Sequence, residues 1–235
     1  MKICAIIPVY NCERYIGAAI ESVLAQTRPV DDILVVDACS SDGTSAVLDR
    51  FGDRIRTIRL ARSGPNLALN QGVARTSAEI LTFLDADDLW LPDKNERQSQ
   101  VLAADESAEA VFGAVRQFVS PDLLQTGKTA VMWDAQPGVS KITLMIRRAA
   151  FERVGWFDES LSVVDFVEWY TRAATSRLRV VMLDEVVTLR RRHDANVGIV
   201  KRKEQRREVL LSLKRHLDRR RQDDTGLPVS GAATS

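Results

Sequence analysis

Short apolar runs rich in Ile and Val alternate with stretches of helical period through the first hundred residues. Residues 3–9 form a continuous apolar run closed by Tyr10-Asn11, which reads as a buried strand. Residues 13–25 follow as a helix with Tyr15, Ala18, Ala19, Ser22 and Val23 on one face. Further strands are predicted over 33–36, 55–60 and 80–84, and further helices over 42–51, 67–74 and 91–104. Ser40-Ser41-Asp42 supplies capping oxygens for the second helix, and Pro92 suits the start of the fourth. Beyond residue 111 the pattern loosens. Strands are expected over 111–119, 142–146, 180–183 and 186–190, and helices over 148–154 and 166–174.

Strands alternating with helices imply parallel pairing through crossovers, hence an α/β, mostly parallel open sheet flanked by helices. Ligands of such sheets sit outside the carboxyl ends of the strands. Residues 201–219 carry Leu210, Leu213 and Leu217 on one face of a basic amphipathic helix, within a basic segment 201–222, and 223–235 is a small, polar tail expected to be disordered.

Composition narrows the class. With 45% hydrophobic residues, 12 Gly and 7 Pro among 235, the chain is a globular protein and not a disordered or collagen-like one. No apolar run approaches the roughly 18 residues of a membrane-spanning helix, and no signal peptide is expected. Cys4, Cys12 and Cys39 have no metal-type spacing, so the expected compartment is the reducing cytoplasm, with Cys12 and Cys39 as small buried residues near the strand ends. The net charge of +1 conceals a split: residues 190–221 hold 13 Lys/Arg against 4 Asp/Glu, leaving an acidic body. That basic segment fits peripheral contact with the inner face of a membrane, packing on the domain, or a homodimer; no nucleic-acid partner is expected.

The chemistry concentrates where the strands end. The first strand closes in Pro8-Val9-Tyr10-Asn11, the second in Asp37, and the fourth in Asp85-Ala86-Asp87-Asp88. Three carboxylates within four residues repel one another, and a hard divalent cation such as Mg²⁺ or Mn²⁺ relieves the repulsion while suiting a diphosphate. A helix cap uses one or two such groups, not three.

These motifs resemble those of the family 2 glycosyltransferases, which have the GT-A fold and move a sugar from a nucleotide donor. The matching stretches are IIPVYNCERYIGAAIESVLAQT (6–27), ILVVDACSSDGT (33–44), GPNLALNQGVA (64–74), ILTFLDADDLWLPDKNERQ (80–98), IRRAAFERVGWFDESL (146–161), VDFVEWYTRA (164–173) and, more weakly, RRRHDAN (190–196). The resemblance implies one domain over 1–200, with a nucleotide-binding half to about residue 104 and an acceptor half from 105. It implies that Pro8, Tyr10 and Asn11 shape the nucleotide pocket, that Asp37 lies near base and ribose, and that Asn70 and Ala86 belong to the nucleotide-sugar site. Asp85 would approach the ribose. Asp87 would hold the Mn²⁺ or Mg²⁺, with Asp88 and His193 as further ligands. The base that deprotonates the acceptor hydroxyl would be Asp165, with Glu168 the other carboxylate of that stretch. The donor is expected to be a nucleotide-diphosphate sugar, uridine first among the bases. The resemblance leaves the acceptor open among saccharide, lipid-linked and peptide hydroxyls, with cell-envelope polysaccharide or glycoconjugate synthesis the expected setting.

Three positions depart from the family pattern: Ala38 follows Asp37 where a second aspartate is usual, Leu69 stands at a frequent arginine, and Asp165-Phe166 replaces a Glu-Asp pair. The departures motivate an alternative, a catalytically degenerate nucleotide-sugar-binding or regulatory module of the same fold. A sugar-1-phosphate nucleotidylyltransferase is disfavoured because residues 8–14 lack the glycine-rich loop of that class. Trp90, Trp156 and Trp169 are expected in core or rim packing.

Overall fold

In the computed structural model of the chain, the residues described are 1–120, 132–161 and 165–193. Their elements run β1 (Ile3–Val9), α1 (Ile16–Leu24), β2 (Asp32–Asp37), α2 (Thr44–Asp49), β3 (Arg56–Arg59), α3 (Pro65–Ala74), β4 (Ile80–Phe83), β5 (Leu89–Trp90), α4 (Lys94–Ala104), β6 (Ala110–Val119), β7 (Gln136–Gly138), a single 3₁₀ turn (Lys141–Thr143), β8 (Met145–Arg147), α5 (Arg148–Val154), α6 (Asp165–Thr175) and β9 (Val180–Arg192). The expected basic helix and the polar tail fall outside the described residues.

β1 is central because it is apolar on both faces. Cys4 and Ile6 enter one core with Leu34, Phe83 and Phe151, while Ala5, Ile7 and Val9 enter a second with Ile16, Ile20 and Leu48. α3 lies on the first face and α1 on the second. Gly72 lets α3 close on β1, since a Cβ there would collide with Ile6.

The strand order is β3-β2-β1-β4-β8-β6-β9-β5, with β7 beside β6. β1 pairs in parallel with β2 and β4, and β2 with β3. β8 is antiparallel to both β4 and β6, and β6 is parallel to β9. Two reversals restore the direction, so β6 and β9 end on the same side of the sheet as β1, β2 and β4. With β3, which runs parallel to β2, the mostly parallel α/β architecture thus gathers six carboxyl ends along one edge.

Several expectations change. α1 starts at Ile16 and buries Ile16, Ala19, Ile20 and Val23, whereas Ala18 is exposed; the face is set by what β1 offers and not by Tyr15. The strand expected over 142–146 is split between the 3₁₀ turn and β8. The two strands predicted near the end are one, β9, whose pairing with β6 carries register shifts between Phe112 and Val115. β5 and β7, of two and three residues, are too short to leave a periodic signal. Trp90 and Trp169 are buried as expected, while Trp156 lies at the rim.

Candidate active site

The first wall of the site is made by the turns after β1 and β2. Asn11 sits at φ 46° and Cys39 at φ 69°, both left-handed. Asp37, buried at the end of β2, accepts the Ser40 N–H at 2.9 Å and closes the turn around Cys39. Asn11 N–H donates to Ser40 Oγ at 3.0 Å, and Ser41 N–H donates to Asn11 Oδ1 at 2.8 Å. The two loops are therefore one hydrogen-bonded unit, with Tyr10 projecting into solvent and Pro8 half-buried within β1. Cys39 is exposed, contrary to the expectation of a small buried residue, because the left-handed turn carries it outward. Cys12 is partly buried, and burial, then the charge of Asp87, push its thiol up to about 12.

The second wall is the Asp85–Asp88 turn, closed by Asp88 N–H donating to Asp85 O at 3.1 Å. Ala86 is buried in the α1-side core and fixes the turn from beneath. Lys141 pairs with Asp85 at 3.4 Å. Asp87 Oδ2 and His193 Nε2 share a hydrogen bond of 2.8 Å. Asp88 is 2% exposed and accepts the Arg191 N–H at 2.7 Å. Burial, then the adjacent charges of Asp87 and Asp85, push its carboxyl well above the usual range.

Arg191 is a residue that sequence reading passed over. Its Nε donates to the Asp87 carbonyl at 2.8 Å, and its guanidinium lies between the rings of Tyr15 and Phe118, 4.8 and 4.7 Å from their centroids. The Tyr15 ring also stands 4.8 Å from that of His193. One side chain thereby ties the acidic turn to the start of α1 and the ends of β6 and β9. An arginine in a run of three gives no signal of its own; strand alternation, which turns the middle one inward, is the only hint.

The remaining candidates come from α3 and α6. Asn70, on α3, donates to Phe157 O at 3.0 Å and Glu159 Oε1 at 3.2 Å and accepts the Phe157 N–H at 3.1 Å, so its amide fixes the 157–159 loop. Asp165 is the first residue of α6. Glu168 is 3% exposed and pairs with Arg172 Nε at 2.9 Å; Arg172 also donates to the carbonyls of Val154 and Trp156, docking α6 on α5.

Neighbouring ligands bonded at roughly 2.1 Å to an octahedral ion stand about 3 Å apart, and Asp87 and His193 present oxygen and nitrogen at 2.8 Å. Those two fit such an ion. Asp88 is turned to the Arg191 backbone, and among the described residues no three His, Cys, Asp or Glu side chains gather as a complete cage. The expected set of three thus divides into a facing pair and a buried neighbour.

The model of glycosyl transferase family 2 matches residues 4–158. The chain belongs to that family. Among family 2 relatives, an uncharacterized glycosyltransferase of Rickettsia typhi is 32% identical over 206 residues, covering 81% of this chain and 64% of that protein. The Bacillus subtilis protein TuaG, named for glycosyl transfer in teichuronic acid biosynthesis, is 36% identical over 104 residues, covering 43% and 41%. The chain therefore spans less than two thirds of either relative. The mannosyltransferase PcManGT of Pyrobaculum calidifontis, solved with GDP-Man and Mn²⁺, superposes with a TM-score of 0.72 at 20% identity, covering 92% of this chain and 64% of that one. The fold is of the GT-A type.

Proposed function

We propose that the chain transfers a glycosyl unit from a nucleoside-diphosphate sugar to an acceptor hydroxyl with inversion, using Mn²⁺ or Mg²⁺. The observation that carries this reading is the facing of Asp87 and His193 at the common carboxyl edge, inside the turn that Arg191 holds. The Mn²⁺ and GDP-Man of PcManGT, a structure of the same fold, support it. The naming of TuaG for teichuronic acid biosynthesis supports an acceptor of cell-envelope polysaccharide.

Asp87 and His193 would hold the ion, whose charge offsets that of the departing diphosphate. The protein's own part is orientation. The fused turns after β1 and β2 present Tyr10 and Asn11 to the nucleoside beside the buried Asp37, and Asp85 accepts hydrogen bonds from the ribose hydroxyls. Asp165 is assigned as the base that takes the acceptor proton while the anomeric carbon exchanges its bond to the diphosphate oxygen for one to the acceptor oxygen. Glu168 is assigned to docking α6 through Arg172.

Phe166 favours the second reading, a module that binds donor without turnover. Where the family carries a carboxylate, this ring is 8% exposed and stacks on Trp169 and Tyr170. Ala38 and Leu69 are likewise buried. Donor hydrolysis and transfer assayed with Mn²⁺ across an acceptor panel separate the two. Transfer is expected, with Asp165→Asn lowering kcat about 10²–10⁴-fold and Asp87→Asn removing the Mn²⁺ dependence. Calorimetric donor binding without any turnover would establish the module instead.

A further inference from the structure

Four buried side chains from four elements grip the chain around the 3₁₀ turn. Trp90 Nε1 of β5 and Thr188 Oγ1 of β9 both donate to the Ile142 carbonyl, at 3.1 and 3.0 Å. Gln98 Nε2 of α4 donates to Thr143 O at 2.7 Å, and Thr82 Oγ1 of β4 donates to Leu144 O at 2.8 Å. Three successive carbonyls are thus held by groups that are all 3% exposed or less. Satisfied buried polar networks of this kind fix a backbone position closely. What the turn presents is Lys141, whose side chain is 16% exposed and whose ammonium stands 3.4 Å from Asp85 Oδ1.

We propose that Lys141 is a donor-binding residue that holds a phosphate of the nucleoside diphosphate beside Asp85; this rests on the reading that the chain binds such a donor. The acidic turn by itself repels a diphosphate. Arg191 is held between two rings and bonded to Asp87 O, so its charge is fixed in place. Lys141 carries its charge on a flexible stem with three donors, and its pair with Asp85 is longer than the 2.7–2.9 Å of a tight charge-assisted bond. An ammonium so placed can serve Asp85 and a phosphate oxygen together.

Calorimetric titration of the full chain with UDP, GDP, uridine and guanosine, with and without Mn²⁺, tests the idea. The expected result is that Lys141→Met weakens the better-bound diphosphate about 10–100-fold, also without Mn²⁺, while Lys141→Arg retains most of the affinity and nucleoside binding is unmoved. Equal diphosphate binding by wild type and Lys141→Met would overturn the assignment. So would an equal loss for the nucleoside, which would mean that Lys141 only props the pocket. Asp85→Asn supplies the second control: Lys141→Met must still weaken the diphosphate in that background, and no further loss would show that the lysine merely balances Asp85. If wild type bound none of the four probes, the donor reading itself would fall.

Discussion

Lys94 shows what a single residue contributes when, among the described residues, no opposite charge accompanies it into the core. It is fully buried, its ammonium donating to Thr82 Oγ1 at 2.8 Å and lying 4.1 Å from the centroid of the Trp90 ring. Burial holds its pKa well below that of an ordinary lysine. The folded chain therefore releases this proton at a lower pH than the unfolded chain, which binds it up to about pH 10.4. Between the lowered folded pKa and that value the unfolded state holds more protons, so stability rises with pH until the unfolded lysine also deprotonates. Lys94→Met keeps the length and removes the titration. The variant is expected to match or exceed wild type at pH 7, with wild type gaining on it toward pH 10; urea midpoints of both proteins at the two pH values measure this. A variant that lost several kcal/mol at pH 7 would mean the amine's bonds outweigh its desolvation.

At the scale of elements, Glu109 joins three pieces of chain. Arg153 of α5 grips it with two bonds of 2.7 Å, and the Arg179 N–H donates to it at 3.0 Å just before β9 begins. The bonds from Arg153, then that from Arg179, lower its pKa to about 2. A depressed carboxylate stabilises the fold above its unfolded pKa, near 4.3, and that contribution is lost as pH falls through about 2. Glu109→Gln should therefore be less stable than wild type at pH 6, and the gap should close between about pH 4.5 and 2, as followed by denaturant unfolding at stepped pH. A constant gap would place the effect in packing. The aromatic cluster behind α6 is the apolar counterpart. Trp169 is fully buried, stacked on Phe151 and Phe166, with its N–H donated to Gly155 O at 2.8 Å. Trp169→Ala is expected to cost about 3–5 kcal/mol, read as a lowered urea midpoint with the loss of α6 helical signal first.

The site belongs to the whole molecule. Asp87 and His193 are 106 residues apart in sequence, and Asp88 and Arg191 are 103 apart. They meet because two antiparallel steps through β8 return β6 and β9 to the direction of β1 and β4. Arg191→Met removes the bond to Asp87 O and both ring contacts but keeps the backbone N–H to Asp88. It is expected to lower stability by about 1–3 kcal/mol and to weaken Mn²⁺ binding, measured by calorimetry, while Arg190→Met leaves the Mn²⁺ affinity alone. Equal effects of the two substitutions would reduce Arg191 to one more surface charge.

Local signals in the chain determined a good deal. The continuous apolar run of β1, the helix of α5 from Arg148 to Val154 and the parallel first half follow from period and turn chemistry, which act within a few residues. The ordered motifs marked the family to which the chain belongs, and the crowded aspartates after β4 singled out the edge at which we propose the site. Tertiary structure decided the rest. It turned α1 by its contact with β1, joined two predicted strands into β9, sent Cys39 outward, engaged Asn70 with the 157–159 loop and chose Arg191 among three adjacent arginines. Each of those outcomes depends on a partner far along the chain. Periodicity records which side of an element is apolar but not what will lie against it, and a charged side chain acquires its role only from the groups that folding sets around it.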